Sequence, residues 1–280
     1  MQQNFAINNK ESEMDYFTPK SFNNKQLRIA VIGVGGTGGE VIDALTRLDF
    51  GVKAMGNEHG IHVTAFDADV VEPHNIGRQR FSQSDVGQYK SLALIHRINM
   101  FYGTAWDAEP RFFEPIDENL SEYDLIIGCV DKAAFRVELG RLSQSDDGEN
   151  DSLLWLDMGN GQHSGQCVLG HVYKGFSEEF KLPNVFDLYP TLANPQLDNE
   201  DTPRCSLAEA LTGENGQDLF INGTLATFGM NIIWHLLTDG KIEHHGLVLD
   251  VKTLKSSPMM IDENAWAFYG YSTEKLARVA

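Results

Sequence analysis

The sequence predicts an α/β fold, a doubly wound and mostly parallel β-sheet with helices on both faces. Three observations carry this expectation. Short apolar runs of buried-strand type alternate with segments of helical spacing, the order that builds parallel sheets covered on both sides. A glycine cluster, "GVGGTGG" at residues 33–39, stands at the junction of the first apolar run and the first amphipathic one. The second run closes on an acid, Asp67, which completes a β-α-β unit.

The elements follow in order. Residues 1–25 are polar and read as a flexible arm; residues 26–280 read as one elaborated domain. "LRIAVIG" is the first strand. In "GEVIDALTRLDFG", Val41, Leu45 and Leu48 share a helix face, and Gly51 is the expected stop. "FGVKAMGNEHG" is then a connecting loop, and "IHVTAFD" alternates Ile61, Val63 and Ala65 as a second strand. The irregular block "VVEPHNIGRQRFSQSDVGQYK" is too long for an idle turn, and long ordered loops tend to carry function. Helical spacing returns in "KSLALIHRINMF" with Leu94, Ile98 and Phe101. After it come a strand "YDLIIGCVD" ending at Asp131, a helix "KAAFRVELGRLSQ", an acidic loop, and two strands, "SLLWLDMGN" and "GQCVLGHVYKG". Prolines 183, 190, 195 and 203 mark an irregular excursion, inserted over 176–216, that could serve as a lid. Helices from about 206 and over about 217–239, then a strand region "HHGLVLDVKTLK", complete the chain.

Composition narrows the partners. The chain has 280 residues, 42% hydrophobic and 10% aromatic, enough for a substantial core, and its net charge is -18. Such acidity repels phosphate backbones, which argues against direct nucleic-acid binding and favours a basic protein partner. Cys129, Cys167 and Cys205 lie far apart with no C-x-x-C pair, so neither a disulfide framework nor structural zinc is expected. His59-x-x-His62 and His244-His245 lack further ligands at metal spacing. The N-terminus has no leader pattern, and the greasiest stretch, "LFINGTLATFGMNIIWHLL", is broken by Asn222, Gly223, Asn231 and His235. The expectation is a cytoplasmic protein without a membrane segment.

The motifs then point to a nucleotide. Glycines 33, 35, 36 and 38 at a strand-to-helix turn let backbone approach a phosphate, which meets the positive end of the helix. Asp67 is placed to accept from ribose hydroxyls. These features alone suit a nicotinamide or flavin oxidoreductase. The following loop offers Asn75, Arg78 and Gln79, and Lys90 comes after it. A redox dinucleotide has little use for such cations; a nucleoside triphosphate, with about four charges, needs them. Asp131, closing a later strand, could hold Mg2+ through oxygen ligation. Taken singly, Arg78 could be a surface ion-pair partner, Lys90 a solvated helix-start residue and Asp131 a helix cap.

Taken together, "GVGGTG", "DADVVEPHNIGRQRF", "DVGQYK" and "GCVD" resemble the ThiF/MoeB superfamily, relatives of the ubiquitin-activating enzymes, over roughly residues 27–175. "CSLAEAL" with "QDLFINGTLATFGMNIIWHLL" resembles in particular the ThiF family proteins of the PRTRC system. The resemblance implies a Rossmann-like adenylation fold, a homodimer, MgATP, and adenylation of a carboxylate at the C-terminus of a ubiquitin-like (β-grasp) protein. Carried over by motif, Gly33, Gly35, Gly36 and Gly38 line the phosphate loop and Asp67 holds the ribose. Asn75, Arg78, Gln79 and Lys90 engage the phosphates, and Asp131 serves the metal. Two departures stand out. The zinc-binding C-x-x-C pairs of many bacterial relatives are missing. The first arginine, Arg28, lies inside a strand, which leaves Lys20 or Lys25 to reach a partner's nucleotide.

Cys205 is the candidate thiol for a subsequent acyl transfer. Ser206-x-x-Glu209 would form a capping box and set it just outside a helix N-terminus, where thiol pKa falls. An inert packed cysteine is the alternative there, and Cys129 and Cys167 read as core. Two other functions compete: a nucleotide-binding scaffold without catalysis, and an NAD-dependent oxidoreductase.

Overall fold

The structure is a computed structural model that describes residues 14–142, 152–173, 180–193 and 217–272. The strands are β1 (Tyr16–Phe17), β2 (Leu27–Ile32), β3 (Ile61–Phe66), β4 (Asp107–Glu109), β5 (Leu125–Gly128), β6 (Leu154–Asn160), β7 (Ser164–His171), β8 (Lys241–Ile242), β9 (His244–Asp250) and β10 (Lys255–Met260). The helices are α1 (Gly36–Ala54), α2 (Lys90–Tyr102), α3 (Ala133–Leu142), α4 (Val185–Leu188), α5 (Ile221–Thr238) and α6 (Glu263–Ala267).

Eight strands form one sheet in the order β10-β9-β7-β6-β5-β2-β3-β4. From β4 through β6 neighbours run parallel; β7, β9 and β10 add an antiparallel flank. The chain winds outward from β2 through β3 to β4, then returns to β5 and winds the other way through β6. Right-handed crossovers therefore place α1 and α2 on one face and α3 on the other. Packing agrees, with α1 against α2 and α5, and α3 against α4. Buried β-branched and leucine side chains fill β2, β3 and β5 almost continuously, as strands covered on both faces require.

Three local expectations change on folding. Gly51 does not stop α1, which continues to Ala54. An added Cβ there would lie 2.6 Å from Cζ3 of Trp234, so the glycine admits the indole of α5. Phe101 is 79% exposed rather than part of the helix's buried stripe, which ends at Ile98. The loose arm does not reach residue 25. Tyr16 and Phe22 are buried, β1 pairs with β8, and the Tyr16 hydroxyl lies 3.0 Å from His171 Nε2. The described part of the proline-rich excursion also belongs to the core: Leu182, Val185 and Leu188 are buried, and Asn184 donates to the His171 carbonyl.

His245 is buried in a hydrogen-bonding arrangement that only a neutral imidazole satisfies. Trp266 Nε1 donates to its Nε2 (2.9 Å), so its Nδ1 carries the proton and donates to the Leu169 carbonyl (2.7 Å). Burial pulls its pKa down to about 4, against the help of that carbonyl. The unfolded chain takes up this proton near 6.5, before the folded one does, so His245 stabilises the fold fully above that pH. The contribution falls away as pH drops from 6.5 toward 4, by about 3 kcal/mol in all. Urea unfolding of wild type and His245→Gln across this window should show their stability gap closing with acid; a constant gap would refute it.

Candidate active site

Register lines up the carboxyl ends of the strands. Ile32 is level with Phe66 and with Gly128, and Gly128 with Asp157. The residues just beyond β2, β3 and β5, namely Gly33, Asp67 and Cys129, therefore share one rim with Met158 of the longer β6, where the winding reverses between β2 and β5. Crevices at such reversals are where open α/β sheets bind ligands.

The glycine turn is shaped by contacts that exclude side chains. Gly33 has φ +86°, and its amide donates to the Phe66 carbonyl (2.9 Å). Gly38 presses on that turn: an added Cβ would sit 1.8 Å from the Gly33 carbonyl oxygen. Neither α1 nor α2 has a side-chain cap on its N-terminal amides. Two helix N-termini without side-chain caps thus open on the same rim, with the first amide of α2 donating to the Asp69 carbonyl (2.9 Å), a setting that favours an anion.

Asp67 binds the turn to the next loop. Its Oδ2 accepts from the Val34 amide (2.6 Å) and its Oδ1 from the Asp69 amide (2.9 Å). Burial raises its carboxyl above the usual range, against the pull of Lys90 and of those two amides. With one bond on each oxygen, acceptor capacity remains for a ligand hydroxyl.

Lys90 is the first residue of α2, with a side chain only 10% exposed. A buried cation at a helix N-terminus opposes the helix dipole, so helix stability does not account for it. Its Nζ lies 2.8 Å from Asp69 Oδ2, with Asp67 close enough to feel its charge. Arg78 donates from Nη1 to Gln217 Oε1 (2.8 Å). Gln79 faces the glycine turn, its Nε2 3.9 Å from where a Gly35 Cβ would be. The buried Gln79 Oε1 has no hydrogen-bond partner among the described residues. Asn75 acts on the loop itself: its Oδ1 accepts from the Glu72 amide (2.9 Å) and its carbonyl from the Gln79 amide (2.9 Å). Arg80 clamps the loop to α1 through Glu40 (2.8 Å) and Asp43 (3.3 Å).

Asp131 is exposed, three residues past the end of β5. Among the described residues no group of three or more His, Cys, Asp or Glu could cage a metal. A lone carboxylate still suits Mg2+, which keeps waters and shares phosphate oxygens. Lys25 pairs with Asp124 Oδ1 (2.5 Å) at the opposite end of the sheet, where β2 and β5 begin. Burial pushes the Cys129 thiol up, and the Cys167 thiol up to about 12, so neither is poised as a nucleophile. Cys205 lies outside the described residues.

Two clusters had no reading from the sequence. Thr37 and Asn160 Nδ2 both donate to Asn222 Oδ1 (3.0 and 3.2 Å), joining α1, β6 and α5 behind the turn. Below the rim, Arg136 and Asp157 form a buried ion pair (2.8 Å). Their signals were single polar residues inside apolar runs, "FING" and "LLWLDMG". Clefts of about 480 Å³ beside Phe228 and Pro258, and of about 340 Å³ beside Phe22 and Asn57, open away from this rim.

The model of the ThiF family matches residues 20–238. The chain is 32% identical over 105 residues to the ATP-dependent ubiquitin transferase-like protein Cap2 of Escherichia coli (strain TW11681), covering 37% of this chain and 17% of that protein. It is 27% identical over 159 residues to ubiquitin-like modifier-activating enzyme 5 of Drosophila ananassae, covering 51% of this chain and 36% of that one. The chain thus spans well under half the length of the curated relatives it matches. Among solved structures, PaaA superposes with a TM-score of 0.53 at 17% identity over 85% of this chain and 65% of that one. Escherichia coli MccB with ATP gives 0.52 at 13% over 85% and 65%. These two likenesses speak for the fold alone. With its family model matched across most of its length, the chain belongs to the ThiF family.

Proposed function

We propose that this protein is an enzyme that adenylates a carboxylate with ATP, the carboxylate being the C-terminal tail of a ubiquitin-like protein. The observation that carries this reading is the meeting of two uncapped helix N-termini with Lys90 at one rim, beside a loop that carries Arg78. The similarity to the Cap2 and modifier-activating relatives supports the substrate class.

A tail carboxylate oxygen bonds to the α-phosphorus as the bond to the pyrophosphate oxygen breaks, giving an acyl adenylate and pyrophosphate. The carboxylate is already anionic at neutral pH, so no base is required. Gly33, Gly35, Gly36 and Gly38 admit the phosphates to the amides of α1. Arg78 and Lys90 stabilise the charge that spreads over the transferring and leaving groups. Gln79 offers a further polar contact, Asp67 accepts from the ribose, and Asn75 shapes the loop. Mg2+, held by Asp131 together with phosphate oxygens, would screen the departing pyrophosphate. In a second step the Cys205 thiol loses its proton to solvent, and the thiolate sulfur bonds to the acyl carbon as the bond from that carbon to the AMP phosphate oxygen breaks, leaving a thioester and AMP. A homodimer, a cytoplasmic setting and a PRTRC-type ubiquitin-like partner belong to the same reading. Among the described residues no helix is long and apolar enough to cross a membrane.

The test is exchange of labelled pyrophosphate into ATP with Mg2+ and the ubiquitin-like protein. Exchange is expected; nucleotide binding without it would leave a scaffold, and hydride transfer to NAD would indicate an oxidoreductase. Asp131→Ala should raise the Mg2+ needed for half-maximal exchange by about tenfold or more, and superimposable titrations would remove Asp131 from the metal. Cys205→Ala should spare exchange while abolishing a thiol-reducible adduct with the partner. An adduct that survives would place the acyl group elsewhere.

A further inference from the structure

The ion pair beneath the rim has no part in the steps above, yet it lies directly under the loop that carries Asp131. Arg136 is in the first turn of α3, five residues after Asp131, and its guanidinium is buried. Its Nε donates to both oxygens of Asp157 (2.8 and 3.0 Å) and its Nη2 to the Met158 carbonyl (3.2 Å). Both acceptors belong to the middle of β6, where Asp157 is level with Gly128 at the end of β5. The backbone leading into α3 lies over the same group, with the Lys132 carbonyl 3.5 Å from Nη1. The charges of Asp131 and Asp157 both act on the guanidinium.

The surroundings leave this group little freedom. Asp157 is fully buried, and a Cβ on Gly128 would come within 3.4 Å of its Oδ1 and 2.9 Å of Phe135. A Cβ on Gly159 would lie 3.3 Å from Arg136 Nη2. Well-packed apolar residues often replace a buried ion pair at no loss of stability, so stability alone is a weak reason for one here. Position is a better reason. The guanidinium joins β6 to the Lys132 carbonyl, and Asp131 sits on the turn between β5 and the helix that carries Arg136.

We propose that Arg136 and Asp157 are a positioning pair for the Asp131 loop. Together they tie the turn between β5 and α3 to the neighbouring strand β6, so that the Asp131 carboxylate is held at one place on the rim, where it meets a divalent cation bound with a polyphosphate. The inference rests on the metal role given to Asp131. Supporting shells of this kind typically change metal affinity by about 10- to 100-fold when removed.

The test uses the full chain and the double substitution Arg136→Met with Asp157→Leu, which removes both charges at once. Two readouts separate the pair's role from the site's. First, hydrogen exchange of amides 129–133 should speed up by about tenfold or more while β2 and β3 keep their protection; unchanged protection over 129–133 overturns the positioning role whatever the site binds. Second, calorimetric titration of ATP at graded Mg2+ should need about tenfold more Mg2+ for half-saturation in the double variant, with exchange recovering at high Mg2+. An unshifted Mg2+ titration in a folded double variant also overturns the proposal. If wild type binds ATP with no dependence on Mg2+, the metal role of Asp131 fails and the coupling to a cation fails with it, while loosened amides would still report the tie. Arg136→Lys guards against a misfolded double variant. It keeps the charge but cannot reach Asp157, the Met158 carbonyl and the Lys132 carbonyl together, so a smaller shift of the same sign is expected, and no shift counts against the pair.

Discussion

Arg78→Ala is expected to slow pyrophosphate exchange by about 100- to 1,000-fold, the usual loss when one fixed donor to a charged transition state is removed. Arg78 sits on the loop over the N-terminus of α1, half-buried and held by Gln217 Oε1 at 2.8 Å. It is not part of the apolar core, so truncation should move stability by no more than about 0.5–1 kcal/mol. The loss should fall mainly on kcat, because charge on the leaving pyrophosphate develops only in the transition state. Arg78→Lys keeps the charge but not the planar fork and should recover only part of the rate. Exchange at the wild-type rate in a folded Arg78→Ala protein would remove Arg78 from the chemistry.

Gly38→Ala should be the most disruptive single methyl in the chain's N-terminal half. The added carbon would lie 1.8 Å from the Gly33 carbonyl oxygen, a backbone atom that cannot rotate away. The helix must therefore leave the turn or the turn must open, at a cost above the roughly 1–3 kcal/mol typical of overpacking. Gly39→Ala, one residue on, is the control. Its Cβ would meet only Arg80 Cβ, at the ordinary distance of 3.6 Å, within the helix. There the change should be neutral or stabilising by about 0.5–1 kcal/mol, since alanine loses less backbone entropy. Urea midpoints and nucleotide binding of the two variants should diverge sharply. Equal behaviour would mean that the turn and α1 are not in close contact.

The core strands were legible because their signal is local. "LRIAVI", "IHVTAF" and "LIIG" are apolar runs of the right length, and each became a strand of the central sheet. β4 was not legible, since "DAE" is three residues long and polar, and only its parallel pairing with β3 makes it a strand. Gly51 misled for a related reason. A glycine in a helical pattern reads as a stop unless one knows that Trp234, far along the chain, needs the space.

For the site, spacing selected residues but not their partners. Asp67 and Lys90 come to the same rim because they stand at the two ends of one β-α connection, Asp67 closing β3 and Lys90 opening α2, and the parallel register of β3 with β2 sets that connection beside the glycine turn. The partition of roles within that rim was not readable. Asn75 spends its oxygen on the Glu72 amide, whereas Gln79, four residues on, faces the glycine turn.

By itself, then, the sequence determined the succession of strands and helices, the glycine turn and the family, since periodicity and motif order are properties of neighbouring residues. Only the tertiary structure decided which polar groups meet. Thr37 bonds Asn222 across 185 positions, and Arg136 of α3 finds Asp157 within β6. A buried polar group must satisfy its hydrogen bonds, yet the partner that does so is selected by strand order and helix packing, which no local pattern encodes.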